Sequence, residues 1–137
     1  PNRDKLYISI ACRFVGRQPP IRRPHITIMY EGVLAPGKSW DEFYAAHRYV
    51  MSWLDANAQN VPVTLMPYGR GLNFALTPLS PASNFCHYIK QQLMVALCDL
   101  AFRADFHITW EPLTNHAQYA EPENYATKPI LRRMKTI

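Results

Sequence analysis

The tripeptide His-Ile-Thr occurs twice in this chain, in "RPHITIMY" (residues 23–30) and in "DFHITWEP" (residues 105–112). Each copy lies inside an apolar run of strand-like character. Along a strand successive side chains alternate between faces, so the spacing His-x-Thr puts an imidazole and a hydroxyl on one face and the Ile on the other. The Ile can anchor the strand while the polar pair looks outward. His25 and His107 are 82 positions apart (107 minus 25), so the two pairs can meet only through tertiary folding. A chain built this way has to bring one strand from each half to a shared polar cleft.

The remaining pattern supplies the parts. Residues 5 to 14, "KLYISIACRF", alternate as a strand, and the Arg- and Pro-rich segment after them reads as a loop leading to His25. Pro24 fits the position just before a strand, and the strand "HITIMY" is expected to end at Gly32 and the "APGK" turn. Ser39 with Glu42 makes a capping box. Trp40, Phe43, Tyr44, His47, Val50, Met51 and Leu54 then recur at helical spacing to about Asn57. "VPVTLMPYG" and "LNFALTPL" read as two strands joined through "GRG". A second helix is expected from near Ser83, with an apolar stripe running from Phe85 through Ile89, Leu93, Ala96 and Leu97 to Leu100. The strand with the second motif follows Ala104, and "PILRRMKTI" is a last candidate strand. This order of strands and helices is an α+β layout within a single domain, 1–137, each helix covering a small sheet.

Charge is distributed unevenly. Arg3, Lys5, Arg13, Arg17, Arg22 and Arg23 face only Asp4 in residues 1–23, and Lys128, Arg132, Arg133 and Lys135 crowd the other end without an acid. If the two ends meet in the fold they form a positive surface suited to phosphates, where otherwise they would be a solvated face. The longest apolar run, "LMVALC" at 93–98, is far short of the roughly 20 residues that span a bilayer, and no charged-then-apolar leader opens the sequence. Position 1 is Pro rather than Met, which leaves room for a processed or longer parent chain. Cys12, Cys86 and Cys98 are odd in number and lack a Cys-x-x-Cys pair, which argues against a disulfide framework or thiolate zinc site. The expectation is a cytoplasmic protein with no membrane association and no obligate protein partner.

The other three histidines lack the motif. His47 falls on the apolar stripe of the first helix, where a boundary histidine is the ordinary reading, His87 falls on the second helix, and His116 in a polar loop. With His25, Thr27, His107 and Thr109 at its signature positions, the chain resembles the two-histidine (2H) phosphoesterase superfamily, and most closely its compact viral and phage-type members. That superfamily is defined by two His-x-Thr/Ser elements on strands from two related lobes. The resemblance runs from the first strand through the second motif; many relatives carry Leu after the motif Thr, where this chain has Ile28 and Trp110. It implies a two-lobed fold with antiparallel sheets forming a central cleft and helices packed outside.

Cleaving a phosphodiester requires a base to deprotonate the nucleophile and an acid to protonate the leaving oxygen. Two imidazoles, with an unperturbed pKa of about 6.5, can divide those roles at neutral pH, and threonine hydroxyls can donate to the non-bridging oxygens. No metal or cofactor is called for. The resemblance implies an oligonucleotide or cyclic nucleotide substrate. The compact members point to a 2′-5′-oligoadenylate or cyclic oligonucleotide messenger of antiviral defence, with a 2′,3′-cyclic phosphate or an RNA-processing substrate as the alternative. Tyr7 and Tyr119 are the preferred base-stacking candidates, Arg23 and Arg70, with Arg22, the phosphate-binding ones, and Glu111, on the face of His107 and Thr109, could orient a histidine or read a base edge.

Two readings compete. A nucleotide-sequestering module would use the same basic ends and aromatics, but pure binding favours Arg or Lys over two matched acid-base histidines. Zinc held by His25 and His107 with Asp105 or Glu111 lacks the spacing of a usual zinc motif.

Overall fold

The computed structural model describes residues 5–15, 24–57, 61–67, 73–101, 105–109 and 128–136. Its elements in chain order are β1 (Leu6–Val15), β2 (His25–Leu34), α1 (Trp40–Asn57), β3 (Leu65–Pro67), β4 (Asn73–Leu76), α2 (Pro81–Leu93), β5 (Leu97–Asp99), β6 (His107–Thr109) and β7 (Lys128–Thr136). They form an α+β arrangement of two antiparallel sheets and two helices. The larger sheet has the order β5-β2-β1-β7 and the smaller the order β3-β4-β6. The two motifs thus lie on different sheets, the first on β2 and the second on β6.

Helix α1 starts where its capping box puts it. The Ser39 amide donates to Glu42 Oε2 at 2.7 Å, and the Glu42 amide donates back to Ser39 Oγ at 3.3 Å. Its apolar stripe, Phe43, Ala46, Val50 and Leu54, is buried. That stripe meets Ala82, Cys86, Ile89 and Leu93 of α2 and the isoleucine face of the large sheet, Ile8, Ile10, Ile26 and Ile28, in one core cluster. Val63, Leu65, Leu76 and Ile108 of the smaller sheet and the segment leading into it join the same cluster, so the two sheets share a core. No helix among the described residues is long and apolar enough to cross a membrane.

Three sequence expectations need correction. Helix α2 begins at Pro81 rather than near Ser83, because Ser80 is the cap: its Oγ accepts from the Ser83 amide at 3.3 Å and Pro81 takes the first turn. It also ends at Leu93, short of the stripe expected to reach Leu100, with Met94 as its C-cap. Of the apolar residues beyond, Ala96 is buried in the turn that follows and Leu97 as the first residue of β5. Edge pairing with β2 wins there over helical periodicity: Leu97, Cys98 and Asp99 stand opposite Leu34, Val33 and Gly32. The same pairing carries β2 through Gly32 to Leu34, so the strand stops at the expected "APGK" turn and not already at the glycine. Gly32 is a close-approach glycine, since a Cβ there would sit 3.3 Å from the Leu6 carbonyl oxygen and from Met29 Sδ.

Strand β7 pairs along β1 from Ile8↔Thr136 to Val15↔Lys128, which sets Arg13 of the N-terminal basic residues in the strand beside Lys128, Arg132, Arg133 and Lys135; Arg3, Arg17, Arg22 and Arg23 lie outside the described residues.

Candidate active site

The pairing of β1 with β2 decides which side chains surround the first motif. Ala11 stands opposite His25, Ile10 opposite Ile26 and Ser9 opposite Thr27. Residues directly opposite share a face of the sheet, so His25 and Thr27 lie with Ser9 and Ala11, while the isoleucines face the core. His25 is exposed at the head of β2, where the Pro24 carbonyl accepts from the Cys12 amide at 2.9 Å. Thr27, one turn of the pleat further in, is 7% exposed.

Just beyond Thr27 the register slips, and Ile8 pairs with Met29 rather than with Ile28. A bulge of this kind places an extra residue in one strand. It lets Ile28 and Met29 both be buried and turns Tyr30 onto the face of His25 and Thr27, where strict alternation would have put it on the core side. The contacts agree with the register. Tyr7 shares a 2.6 Å hydrogen bond between its hydroxyl and Thr27 Oγ1, and its ring meets that of Tyr30 edge-on at 6.2 Å.

Tyr30 then reaches the second motif. Its hydroxyl lies 3.2 Å from Nε2 and 3.3 Å from Nδ1 of His107, and the two rings lie nearly parallel with centroids 6.1 Å apart. A phenol can donate to an unprotonated imidazole nitrogen or accept from a protonated one, so the tautomer decides which nitrogen is served and in which direction. Thr27, Tyr7, Tyr30 and His107 thereby form a continuous contact path from one motif to the other. His107 is held on the other side by the smaller sheet, where β4 pairs it with Ala75, Ile108 with Phe74 and Thr109 with Asn73.

The bulge is pinned from behind by Asp99 of β5. Its carboxylate accepts from the Glu31 amide at 3.1 Å, the Ala101 amide at 3.1 Å and the Tyr30 amide at 3.4 Å, and it pairs with Lys90 of α2 at 3.5 Å. Burial pushes the Asp99 carboxyl up, but the three amides and the Lys90 ammonium outweigh it and hold the group below the usual carboxylate range. Lys90 and Asp99 are therefore the supports of Tyr30, one layer away from the motif face.

Of the residues singled out in the sequence, Thr27, His107 and Tyr7 fall within this cluster, while His25 lies on the same sheet face at the exposed head of β2 and Thr109 is placed by its strand pairing. Arg22, Arg23, Arg70, Glu111 and Tyr119 lie outside the described residues. His47 is a partly buried boundary histidine against Phe43, with rings 5.7 Å apart, and burial lowers its pKa. His87 lies edge-on to Phe106 at 4.7 Å, and His116 is outside the described residues. A cavity of about 130 Å³ between Leu76, Leu79, Ser83, His87, Asp105 and Phe106 contains none of the four motif residues. Among the described residues no three His, Cys, Asp or Glu side chains converge as metal ligands would.

In the sequence Tyr30 is one of several aromatics that flank the motif strands and could stack bases, but on the alternation of "HITIMY" it belongs to the core face, and its place beside His107 is not signalled by the spacing. A signal was present in the two successive apolar residues Ile28 and Met29, which break the alternation and can both be buried only if the strand bulges. Comparison of the chain with family models, with curated proteins and with solved structures gives no match. What the site can do is read from its own residues.

Proposed function

We propose that this protein is a phosphodiesterase of the two-histidine type, with His25 and His107 as the acid-base pair and Thr27 and Thr109 as donors to the non-bridging phosphate oxygens. On this reading the two sheets are the two lobes of that superfamily's fold. The substrate is a nucleotide second messenger, a 2′-5′-oligoadenylate or a cyclic oligonucleotide, and its destruction antagonises a host antiviral defence. The observation that carries the reading is the bridge from Tyr30 to His107. It links the strand of the first His-x-Thr to the imidazole of the second, so that two sequence-remote strands meet at Tyr30.

The chemistry follows from the residue types. One imidazole, neutral, takes the proton of a ribose hydroxyl or of water; the other, protonated, delivers a proton to the departing oxygen. Charge accumulates on the non-bridging oxygens, and hydroxyl donors aimed at them lower that barrier. Tyr7 takes part through Thr27, since the 2.6 Å bond between them fixes the threonine rotor. Tyr30 acts in the same way on His107. Both proton transfers are covered by the two imidazoles, so the scheme calls for no metal.

The test is a substrate panel incubated with the purified protein in EDTA: 2′-5′ oligoadenylate, cyclic di- and trinucleotides, and a 2′,3′-cyclic nucleotide. The His25→Ala, His107→Ala double mutant is the control. Cleavage of a messenger by wild type, abolished in the mutant, is the expected result. Cleavage of the 2′,3′-cyclic nucleotide alone would replace the messenger reading with the processing one. Tight binding without turnover, equal in wild type and mutant, would make the protein a sequestering module and end the enzyme proposal.

A further inference from the structure

Strand β7 continues two rows that begin at the first motif. Ala11 stands opposite His25 on one side and Arg133 on the other; Ser9 stands opposite Thr27 on one side and Lys135 on the other. Residues in register across an antiparallel sheet share a face, so positions 133 and 135 belong to the motif face. They lie two strands from positions 25 and 27, about 10 Å at the usual strand spacing.

A second register slip sets this phase. Cys12 pairs with Leu131 but Ala11 with Arg133, which leaves Arg132 as the extra residue of the bulge. Without the slip Met134, not Lys135, would stand opposite Ser9. The central strand contributes Ser9 and Ala11 to these rows, both small residues, and Ser9 is buried beside Thr27. Strands β1 and β7 also carry Arg13, Lys128 and Arg132, and no Asp or Glu at any position. A cationic row on the face of a phosphodiester-cleaving motif is an electrostatic footprint for further phosphate.

We propose that Arg133 and Lys135 form an anion subsite for a second phosphate of the substrate, next to the scissile one. The proposal rests on the phosphodiesterase reading and sharpens it: the preferred substrate carries at least two phosphates, which favours an oligonucleotide over a mononucleotide 2′,3′-cyclic phosphate. Guanidinium and ammonium groups at these positions would bind phosphate without selecting a base.

The test compares kcat/KM on the 2′-5′-linked diadenosine, which has one phosphate, with that on its 5′-phosphorylated form and on the 2′-5′ triadenylate core, which have two. Wild type is expected to favour a two-phosphate substrate by roughly tenfold or more. In Arg133→Gln and in Lys135→Gln that ratio should fall toward one, whereas Arg133→Lys, which keeps the charge, should retain most of it. The salt dependence of kcat/KM on the two-phosphate substrate should become shallower by about 0.7 in log-log slope for each charge removed, the value for single strands. Because β7 is the edge strand, both glutamine variants should keep the wild-type circular dichroism; if one does not fold, the other is read alone. Turnover of the dimer without any preference for the second phosphate, or a preference unchanged in the glutamine variants, would overturn the subsite and leave the phosphodiesterase reading standing. Failure of folded wild type to cleave any of the three would instead overturn cleavage of 2′-5′ linkages, and the subsite with it.

Discussion

Replacing Tyr30 with Phe removes a single oxygen and keeps the ring that lies edge-on to Tyr7 and nearly parallel to His107. The bonds lost are 3.2 and 3.3 Å long, at the outer limit for a good hydrogen bond, so neither nitrogen is held by a short one. A neutral hydrogen bond is worth about 0.5–1.5 kcal/mol net and one to a charged group about 1.5–3 kcal/mol. Converted at 1.36 kcal/mol per tenfold, that is roughly a 2- to 13-fold loss in kcat if His107 reaches the transition state neutral, and roughly 13- to 160-fold if it does so charged. The size of the loss therefore reports the protonation state in which Tyr30 serves His107. The assay is steady-state kcat and KM of Tyr30→Phe on the best substrate of the panel, with circular dichroism as the control for folding. A positioning role predicts that kcat carries the loss and KM moves little. Wild-type kcat in a folded Tyr30→Phe protein would refute the role assigned to this hydroxyl.

Three other perturbations probe the supports around it. Asp99→Asn should lower stability at pH 7 by about 1.5–3 kcal/mol in urea unfolding, because a carboxylate accepting several amides and pairing with Lys90 becomes an amide. Since the folded-state pKa of Asp99 is depressed, its contribution is complete above the unfolded value of about 3.9 and disappears as pH falls through the folded one, so the gap between variant and wild type should close in acid. Thr27→Val should cost less in kcat than either histidine mutation, and adding Tyr7→Phe should cost little more, because the two hydroxyls share one bond; additive losses would show that they act separately. Burial pushes the Cys12 and Cys86 thiols well above their ordinary range, whereas Cys98 is only partly covered, so a maleimide applied to the native protein should label Cys98 first. Equal labelling of all three would mean that the core opens far more readily than its packing implies.

Much of this arrangement is legible in the sequence because local chemistry agrees with tertiary packing. The Ser39–Glu42 capping box starts α1 in the expected place, and the alternation of β1 and the head of β2 assigns the isoleucines to the core and the motif pair to the other face. Where the reading failed, the cause was long-range. The segment "VALCD" satisfies helical periodicity, yet it is taken up by β2, whose edge would otherwise be left unpaired. Nothing local to residues 95–99 signals this. Two of the register slips along β1 are equally tertiary: one turns Tyr30 toward the motif, the other sets positions 133 and 135 on the motif face, and each depends on how a neighbouring strand is phased. The strands that carry His25 and His107 were thus legible, and the register slip that sets Tyr30 beside His107 was not.

The central claim is that His25 and His107, on different sheets, work as one catalytic unit, and a double-mutant cycle in kcat/KM tests it most directly. The claim predicts that His25→Ala and His107→Ala each cost on the order of 100- to 10,000-fold. It predicts further that the double mutant is little worse than the worse single, because removal of either partner already disables the pair. Near-wild-type turnover by either single mutant, or losses that simply multiply in the double, would contradict it.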